Sequence, residues 1–276
     1  MLFLSWFGCR EFKFEHFLSV FSVLRNLVDS SVAKIVFHTD CVPKSDYWND
    51  VLNLAEHRIL IQRLTIQNSN STYKYSIFKT WPELMLSKIE HVSDIYRIYL
   101  LYRFGGIYLD DDVVLINKHD KYLNNTRLTL GQTSPASLAN GFMISPVGSR
   151  QLLRWLQEYK YYQPILHGPF STMKVMALTM KFPGETHIVQ RKWIVPNFLT
   201  KLKVFFRENS EVNPGFNWKF SENIHLGLRY LRPEIVKRCN VSFEQIRGIE
   251  CMDNSLGEFV RNINAPTFTC FTPETD

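Results

Sequence analysis

The hydrophobic residues of this chain fall in short runs separated by segments of helical spacing. Leu2 to Trp6 is an apolar run of strand length, and Phe14, Phe17, Leu18, Phe21 and Leu24 then recur at the interval of a helix face. "KIVFHTD" (34–40) predicts a buried strand ending in polar residues. After the break at Pro43 a helix is expected around Tyr47 to Leu54, and "RILIQRLTI" (58–66) predicts a third strand. Residues 67–74 read as a polar loop. A long helix is expected from about Glu90 to Phe104, where Gly105-Gly106 stops it because glycine readily takes the left-handed capping conformation. "IYLDDDVVLI" (107–116) follows as a strand. Beyond residue 120 the pattern is less regular. It predicts short strands at Leu128–Leu130 and Gly141–Ser145, helices near 148–160 and 170–181, strands at "HIV" and "NIHL", and a basic helix from Pro233.

Alternation of strands and helices argues for an α/β fold with a mainly parallel central sheet and helices on both faces. In such sheets ligands bind beyond the carboxyl ends of the strands, which is where Asp110, Asp111 and Asp112 would sit. No linker is visible, so residues 1–276 read as a single domain with a less regular C-terminal half.

Composition narrows the function classes. The 276 residues are 45% hydrophobic and 21% charged, as in an ordinary globular protein able to bury a substantial core. The net charge of +6 is scattered, which argues against a nucleic-acid groove and suits an anionic small substrate or an acidic membrane surface. Five cysteines with no CxxC pair argue against structural zinc; Cys239 and Cys251 are either a short-loop disulfide or free thiols. Asn70, Asn124 and Asn240 each open an N-x-S/T triplet in a polar stretch, which leans toward the secretory pathway. No stretch reaches the roughly 18 apolar residues that span a bilayer. "MLFLSWFG" is too short for a signal peptide, so a membrane anchor is expected only upstream of this sequence.

The triplet is the chemical signal. Two carboxylates about 5 Å apart repel by roughly 3 kcal/mol at an effective dielectric of about 20, and these are flanked by "GGIYL" and "VVLI" rather than by solvated loop. On a strand Asp110 and Asp112 would point to one side and Asp111 to the other. Paired carboxylate oxygens suit a hard divalent cation, Mg²⁺ or Mn²⁺. Asp94 and Arg97 lie one turn apart on an otherwise apolar helix, so the pair should face something polar.

"SDIYRIYLLYRFGGIYLDDDV" (93–113) resembles the signature of the DXD-containing sugar-binding glycosyltransferases of family 32. That family includes animal α1,4-galactosyl- and α1,4-N-acetylglucosaminyltransferases and yeast mannosyltransferases, and the clostridial glucosylating toxins share a similar core. The likeness extends through "LSWFG", "VFHTD", "NGFMIS" and "NIHL", with only the central block highly specific. It implies a GT-A type, Rossmann-like nucleotide-sugar-binding fold. Residues 1–120 would be the nucleotide-sugar and metal half, and residues 121–276 the acceptor side. The implied activity is retaining transfer of a hexose or N-acetylhexosamine from a nucleotide-diphosphate sugar, UDP-galactose or UDP-N-acetylglucosamine above all, to a glycan, glycolipid or glycoprotein in the Golgi. Asp110 and Asp112 would hold Mn²⁺ or Mg²⁺, with His225 completing the coordination; the family's Trp two residues later is Gly227 here. Asp94 would meet sugar hydroxyls and Arg97 sugar or phosphate oxygens. Trp6 would stack on the base, Tyr108 would lie near it, Asn140 would approach the transferred sugar, and Asp111 would bind ribose or sugar hydroxyls. No residue stands out as a covalent nucleophile, which fits front-side transfer driven by positioning and electrostatics.

Two other readings stay open. One is a nucleotide-sugar or glycan binder of the same fold without catalysis, to which Gly227 contributes. The other is a two-metal phosphodiesterase or nuclease, for which His38 and Asp40 of "HTD" are a thin second ligand set.

Overall fold

The computed structural model describes residues 1–27, 34–55, 57–64, 66–69, 72–75, 89–162, 169–190, 193–194 and 221–226. The basic helix expected from Pro233, Gly227, the cysteines at 239, 251 and 270, and the acceptor asparagines 70 and 240 lie outside them.

The first five elements alternate as the hydrophobic pattern predicts: β1 (Leu2–Trp6), α1 (Phe14–Leu27), β2 (Ile35–Thr39), α2 (Asp46–Ala55) and β3 (Ile59–Arg63). The expected polar loop at 67–74 is instead a hairpin of β4 (Ile66–Ser69) and β5 (Thr72–Tyr75), paired antiparallel with Ile66 opposite Tyr75. Tyr73 and Tyr75 alternate with polar residues, a strand pattern that overall polarity hides. Then follow α3 (Ile89–Phe104), β6 (Gly106–Leu109), β7 (Val113–Leu115), β8 (Leu128–Ser134), β9 (Ser137–Ser145) and α4 (Arg150–Glu158). A π-helical turn, Pro169–Met173, runs into α5 (Lys174–Lys181), and β10 (Thr186–Val189), β11 (Trp193–Ile194) and β12 (Asn223–His225) complete the set.

Seven strands form one sheet in the order β10-β8-β9-β6-β1-β2-β3. Of its pairings, β10–β8, β6–β1, β1–β2 and β2–β3 are parallel, while β8–β9 and β9–β6 are antiparallel. The fold is thus mixed α/β with a mainly parallel central sheet, and strands from both halves of the chain share it. A smaller sheet, β11-β12-β7, lies beyond the triplet.

The period of two on β1 divides the core. Leu2, Leu4 and Trp6 pack with α1 and α2, whereas Phe3 and Phe7 pack with α3. On β6, Ile107 and Leu109 belong to the first cluster and Tyr108 to the second. The same alternation decides which candidate residues meet.

The long central strand expected over 107–116 does not form. One strand ends at Leu109 and the next begins at Val113, and the Val113 amide donates to the Asp110 carbonyl at 3.1 Å, closing a turn around the triplet. Three adjacent carboxylates in a continuous ladder would have forced Asp111 toward the apolar side opposite its neighbours; the turn leaves all three partly exposed. Gly105 does end α3 as predicted, with φ of +60° and its amide donating to Leu101 at 2.9 Å. Among the described residues no helix is long and apolar enough to cross a membrane.

Candidate functional site

The turn at 110–112 is held from three sides. The Asp110 amide donates to the Gly141 carbonyl on β9 at 2.7 Å, and Ser19 of α1 donates its hydroxyl to the Val113 carbonyl at 2.7 Å. β12 pairs antiparallel with β7 so that His225 stands opposite Val113, and the Leu226 amide donates to the Asp112 carbonyl at 2.8 Å. Sequence positions more than a hundred residues apart are thereby brought together by strand register.

Asp110, Asp112 and His225 converge: one ligand atom from each lies within 4.8 Å of the others. His225 Nε2 is 2.9 Å from Asp112 Oδ1, a separation that also matches the roughly 3 Å edge of an octahedron with metal–oxygen bonds of about 2.1 Å. Gly141 makes the convergence sterically possible, since a Cβ there would come within 2.9 Å of His225 Nδ1 and 3.0 Å of Asp110 Oδ2. Among the described residues this is the one group of three or more such side chains that could hold a metal ion. His38 and Asp40 stand outside it: His38 Nδ1 pairs with the Tyr96 hydroxyl at 2.6 Å, and Asp40 accepts the Gly8 amide at 3.0 Å.

Arg97 organises the other side. A guanidinium has five N–H donors, and here each faces a protein acceptor. Nε donates to the Ser93 carbonyl (3.2 Å), and Nη1 to Asp110 Oδ2 (2.7 Å) and the Asn140 carbonyl (3.0 Å). Nη2 donates to Ser93 Oγ (3.0 Å) and lies 3.2 Å from Asp94 Oδ1. Asn140 Nδ2 donates to Asp94 Oδ1 at 3.0 Å and to Ser171 Oγ at 2.7 Å, tying α3, β9 and the π-helical turn into one network. Tyr108 lies wholly buried beneath it, with its ring 4.8 Å from the Arg97 guanidinium carbon. Its hydroxyl donates to Asp110 Oδ1 at 2.9 Å and contacts Ser5 Oγ at 2.7 Å.

Burial pushes the Asp110 carboxyl up to about 6; Arg97 and His225 pull the other way, and Asp112 and Asp111 add to the rise. Burial likewise disfavours the charge on Arg97, but Asp110, Tyr108 and Asp94 outweigh it and hold the guanidinium firmly protonated. Asp111 turns away from its neighbours and ion-pairs with Arg10. Two guanidiniums, Arg10 and Arg97, thus pair with Asp111, Asp94 and Asp110 beside the point where Asp110, Asp112 and His225 converge. Two carboxylates and an imidazole are a donor set that fits a divalent cation.

The candidate residues therefore divide. Asp94, Arg97, Asp110, Asp112, Asn140 and His225 form one connected constellation at the carboxyl end of β6, and Tyr108 supports it from below. Asp111 points to Arg10. Trp6 is not brought to the group: it projects to the α1 side of β1, is fully buried between Phe12 and His16, and has the Arg10 guanidinium 4.0 Å from its ring centroid. Ser93 and Ser171, which complete the network, and Arg10 carry no sequence signal of their own; only the spacing of Ser93 from Arg97 hints at an i,i+4 contact.

Cys9 and Cys41 form a disulfide joining the loops that follow β1 and β2. Neither residue stands out among the five cysteines in sequence, because the 32-residue separation becomes a contact only through β1–β2 pairing.

The chain has recognisable relatives. A curated fungal protein, "Glucan organizing enzyme 1" of Cryptococcus neoformans var. grubii, is 25% identical over 192 residues, which cover 66% of this chain. The chain spans 47% of that relative's length. Similar solved structures include a "PaToxG Glycosyltransferase" (15% identity, 66% of this chain and 69% of that one, TM-score 0.43). They also include the galactosyltransferase LgtC in complex with donor and acceptor sugar analogues (13% identity, 82% and 86%, TM-score 0.42) and mouse xyloside xylosyltransferase 1 (12% identity, 83% and 98%, TM-score 0.43). Residues 30–129 match the family described as "glycosyltransferase sugar-binding region containing DXD motif". Asp94, Arg97 and the Asp110–Asp112 turn all fall within that matched segment.

Proposed function

We propose that this protein is a retaining, metal-dependent glycosyltransferase that moves a hexose or N-acetylhexosamine from a UDP-sugar, UDP-galactose or UDP-N-acetylglucosamine, to a glycan, glycolipid or glycoprotein. The observation that carries the reading is the convergence of Asp110, Asp112 and His225 beside the Asp94–Arg97–Asn140 network. Asp110, Asp112 and His225 would hold Mn²⁺ or Mg²⁺; when bound, the cation neutralises charge on the departing diphosphate.

The chain's own residues do the positioning. Asp94 and Asn140, already bonded to each other, accept and donate toward the hydroxyls of the transferred sugar. Arg97, with its donors committed to protein acceptors, fixes Asp94 and Asp110 in place and keeps Asp110 ionised. Tyr108, itself held by Ser5, orients the second Asp110 oxygen. Such pre-set dipoles favour the charge that develops as the sugar–phosphate bond breaks. The leaving phosphate takes the acceptor proton, so no protein base is needed. A lumenal, Golgi setting is supported by the Cys9–Cys41 disulfide, a bond favoured in oxidising compartments, and by the exposed Asn124 acceptor site.

The test is Asp112→Asn, which keeps the side-chain shape and removes one ligand charge. It should abolish Mn²⁺-dependent binding and slow hydrolysis of the UDP-sugar, followed by calorimetry and product assay, while leaving the unfolding transition in place. A variant that transfers sugar at the parental rate in manganese would overturn the assignment.

A further inference from the structure

The nucleotide side of the site presents an arginine where the sequence suggests an aromatic ring. Trp6 is fully buried, whereas the Arg10 side chain stacked on it is 48% exposed. The guanidinium carbon sits over the Trp6 ring, 4.0 Å from its centroid, so the group lies against the indole on one side while the side chain stays half-exposed to solvent. Its position is fixed rather than floppy. Nε donates to the Phe7 carbonyl at 3.3 Å, Nη2 pairs with Asp111, and the preceding residue, Cys9, is cross-linked to Cys41. Nη1 has no acceptor among the described residues. Arg10 therefore stands at the carboxyl ends of β1 and β2, one residue away from the carboxylates that converge on His225.

We propose that Arg10 presents the flat surface on which the base of the nucleotide donor stacks, with Trp6 as the buried platform that orients it. Guanidinium planes stack on nucleobases as aromatic rings do, and a cation stacked on an indole keeps its plane parallel to the ring. The ion pair with Asp111 sets the rotation of that plane and links the base-facing loop to the turn that holds the diphosphate end of the donor. This inference rests on the UDP-sugar reading above.

Calorimetry on the whole chain in saturating Mn²⁺ tests it, with UDP and inorganic pyrophosphate as separate titrants. Arg10→Lys keeps the charge and loses the plane; Arg10→Ala loses both. A double variant, Arg10→Ala with Asp111→Asn, removes the carboxylate that the single change leaves unpaired. All three should weaken UDP binding by about tenfold, the scale of losing one base-stacking contact, and leave pyrophosphate binding at the wild-type value. The inference is overturned if Arg10→Lys binds UDP like wild type, if pyrophosphate weakens as much as UDP, or if UDP affinity does not change. The donor-site reading fails separately, and takes the inference with it, if the wild type binds neither titrant in manganese.

Discussion

At the scale of single residues, Gly141 is the position on which the constellation turns. Its carbonyl fixes the Asp110 backbone, and the space where a Cβ would stand is what lets His225 and Asp110 approach. Gly141→Ala should therefore push the imidazole and the carboxylate apart by several tenths of an ångström. The expected result is at least about a tenfold loss of Mn²⁺ affinity, because ligand geometry outside about ±0.2 Å forfeits coordination, with a stability change near 1 kcal/mol or less since the neighbouring atoms are side-chain ends. Titration of Mn²⁺ by electron paramagnetic resonance beside urea unfolding would separate the two effects; unchanged metal affinity would show that Gly141 is not the spacer. How far such residues were legible follows from their chemistry. Three adjacent aspartates in an apolar setting are a rare pattern, so Asp110 and Asp112 could be picked from sequence. His225 needed the family likeness, since a lone histidine in an apolar stretch looks the same whether it packs or ligates. Arg10 was hidden because an arginine after a strand is indistinguishable from any solvated surface cation. Trp6 was singled out by its match to the base-stacking tryptophan of the toxin relatives, but the period of two on β1 sends it to the opposite face from Phe7 and the α3 network.

At the scale of elements, hydrophobic period located the strands and helices well wherever burial was one-sided or complete, and it failed where polar atoms set the geometry. The strand over 107–116 was expected because its flanks are continuous apolar runs, and periodicity takes no account of the repulsion among Asp110, Asp111 and Asp112. The turn that replaces it still brings Asp110 and Asp112 together, through the β9 carbonyl and β12 register rather than through alternation along a strand. The hairpin at β4–β5 was missed for the converse reason, its polarity masking alternation. The junction of α3 with β6 was legible because its constraint is local. At Gly105 a Cβ would meet the Val147 amide nitrogen at 2.6 Å and the Ser145 carbonyl oxygen at 3.1 Å, and φ is +60°. Gly105→Ala should cost about 2 kcal/mol or more, combining the left-handed penalty of roughly 1–2 kcal/mol with a clash against backbone that cannot rotate away. Urea denaturation of the variant would read this directly; a loss under about 0.5 kcal/mol would mean that the α3–β6 corner relaxes freely.

At the scale of the whole molecule, one sheet separates two apolar cores and the polar site is confined to its carboxyl edge, so charge chemistry and core stability meet at only a few buried groups. His38 is one of them. It projects from β2 toward α3, where the Tyr96 hydroxyl pairs with Nδ1 and Phe3 packs against the ring, and it has no carboxylate partner among the described residues. Burial lowers its pKa from 6.5 to about 4. In the unfolded chain the imidazole recovers its ordinary value near 6.5. Between those two values the unfolded state binds a proton that the folded state refuses, so stability falls as pH drops from about 6.5 to about 4 and this contribution levels off below. The loss is roughly 3 kcal/mol at most, because refusing the proton costs about 1.4 kcal/mol for each pH step between the two values. His38→Gln keeps a polar partner for Tyr96 and removes the titration. His119, whose pKa burial also lowers to about 4, stays in both proteins and cancels in the comparison. Urea unfolding of both at several pH values between 7.5 and 4 should show the wild type losing stability more steeply than the variant. Parallel curves would mean that His38 takes up its proton in the folded state at an ordinary pH, and that the α3 face of the sheet admits solvent where the packing places an imidazole sealed between Phe3 and Tyr96.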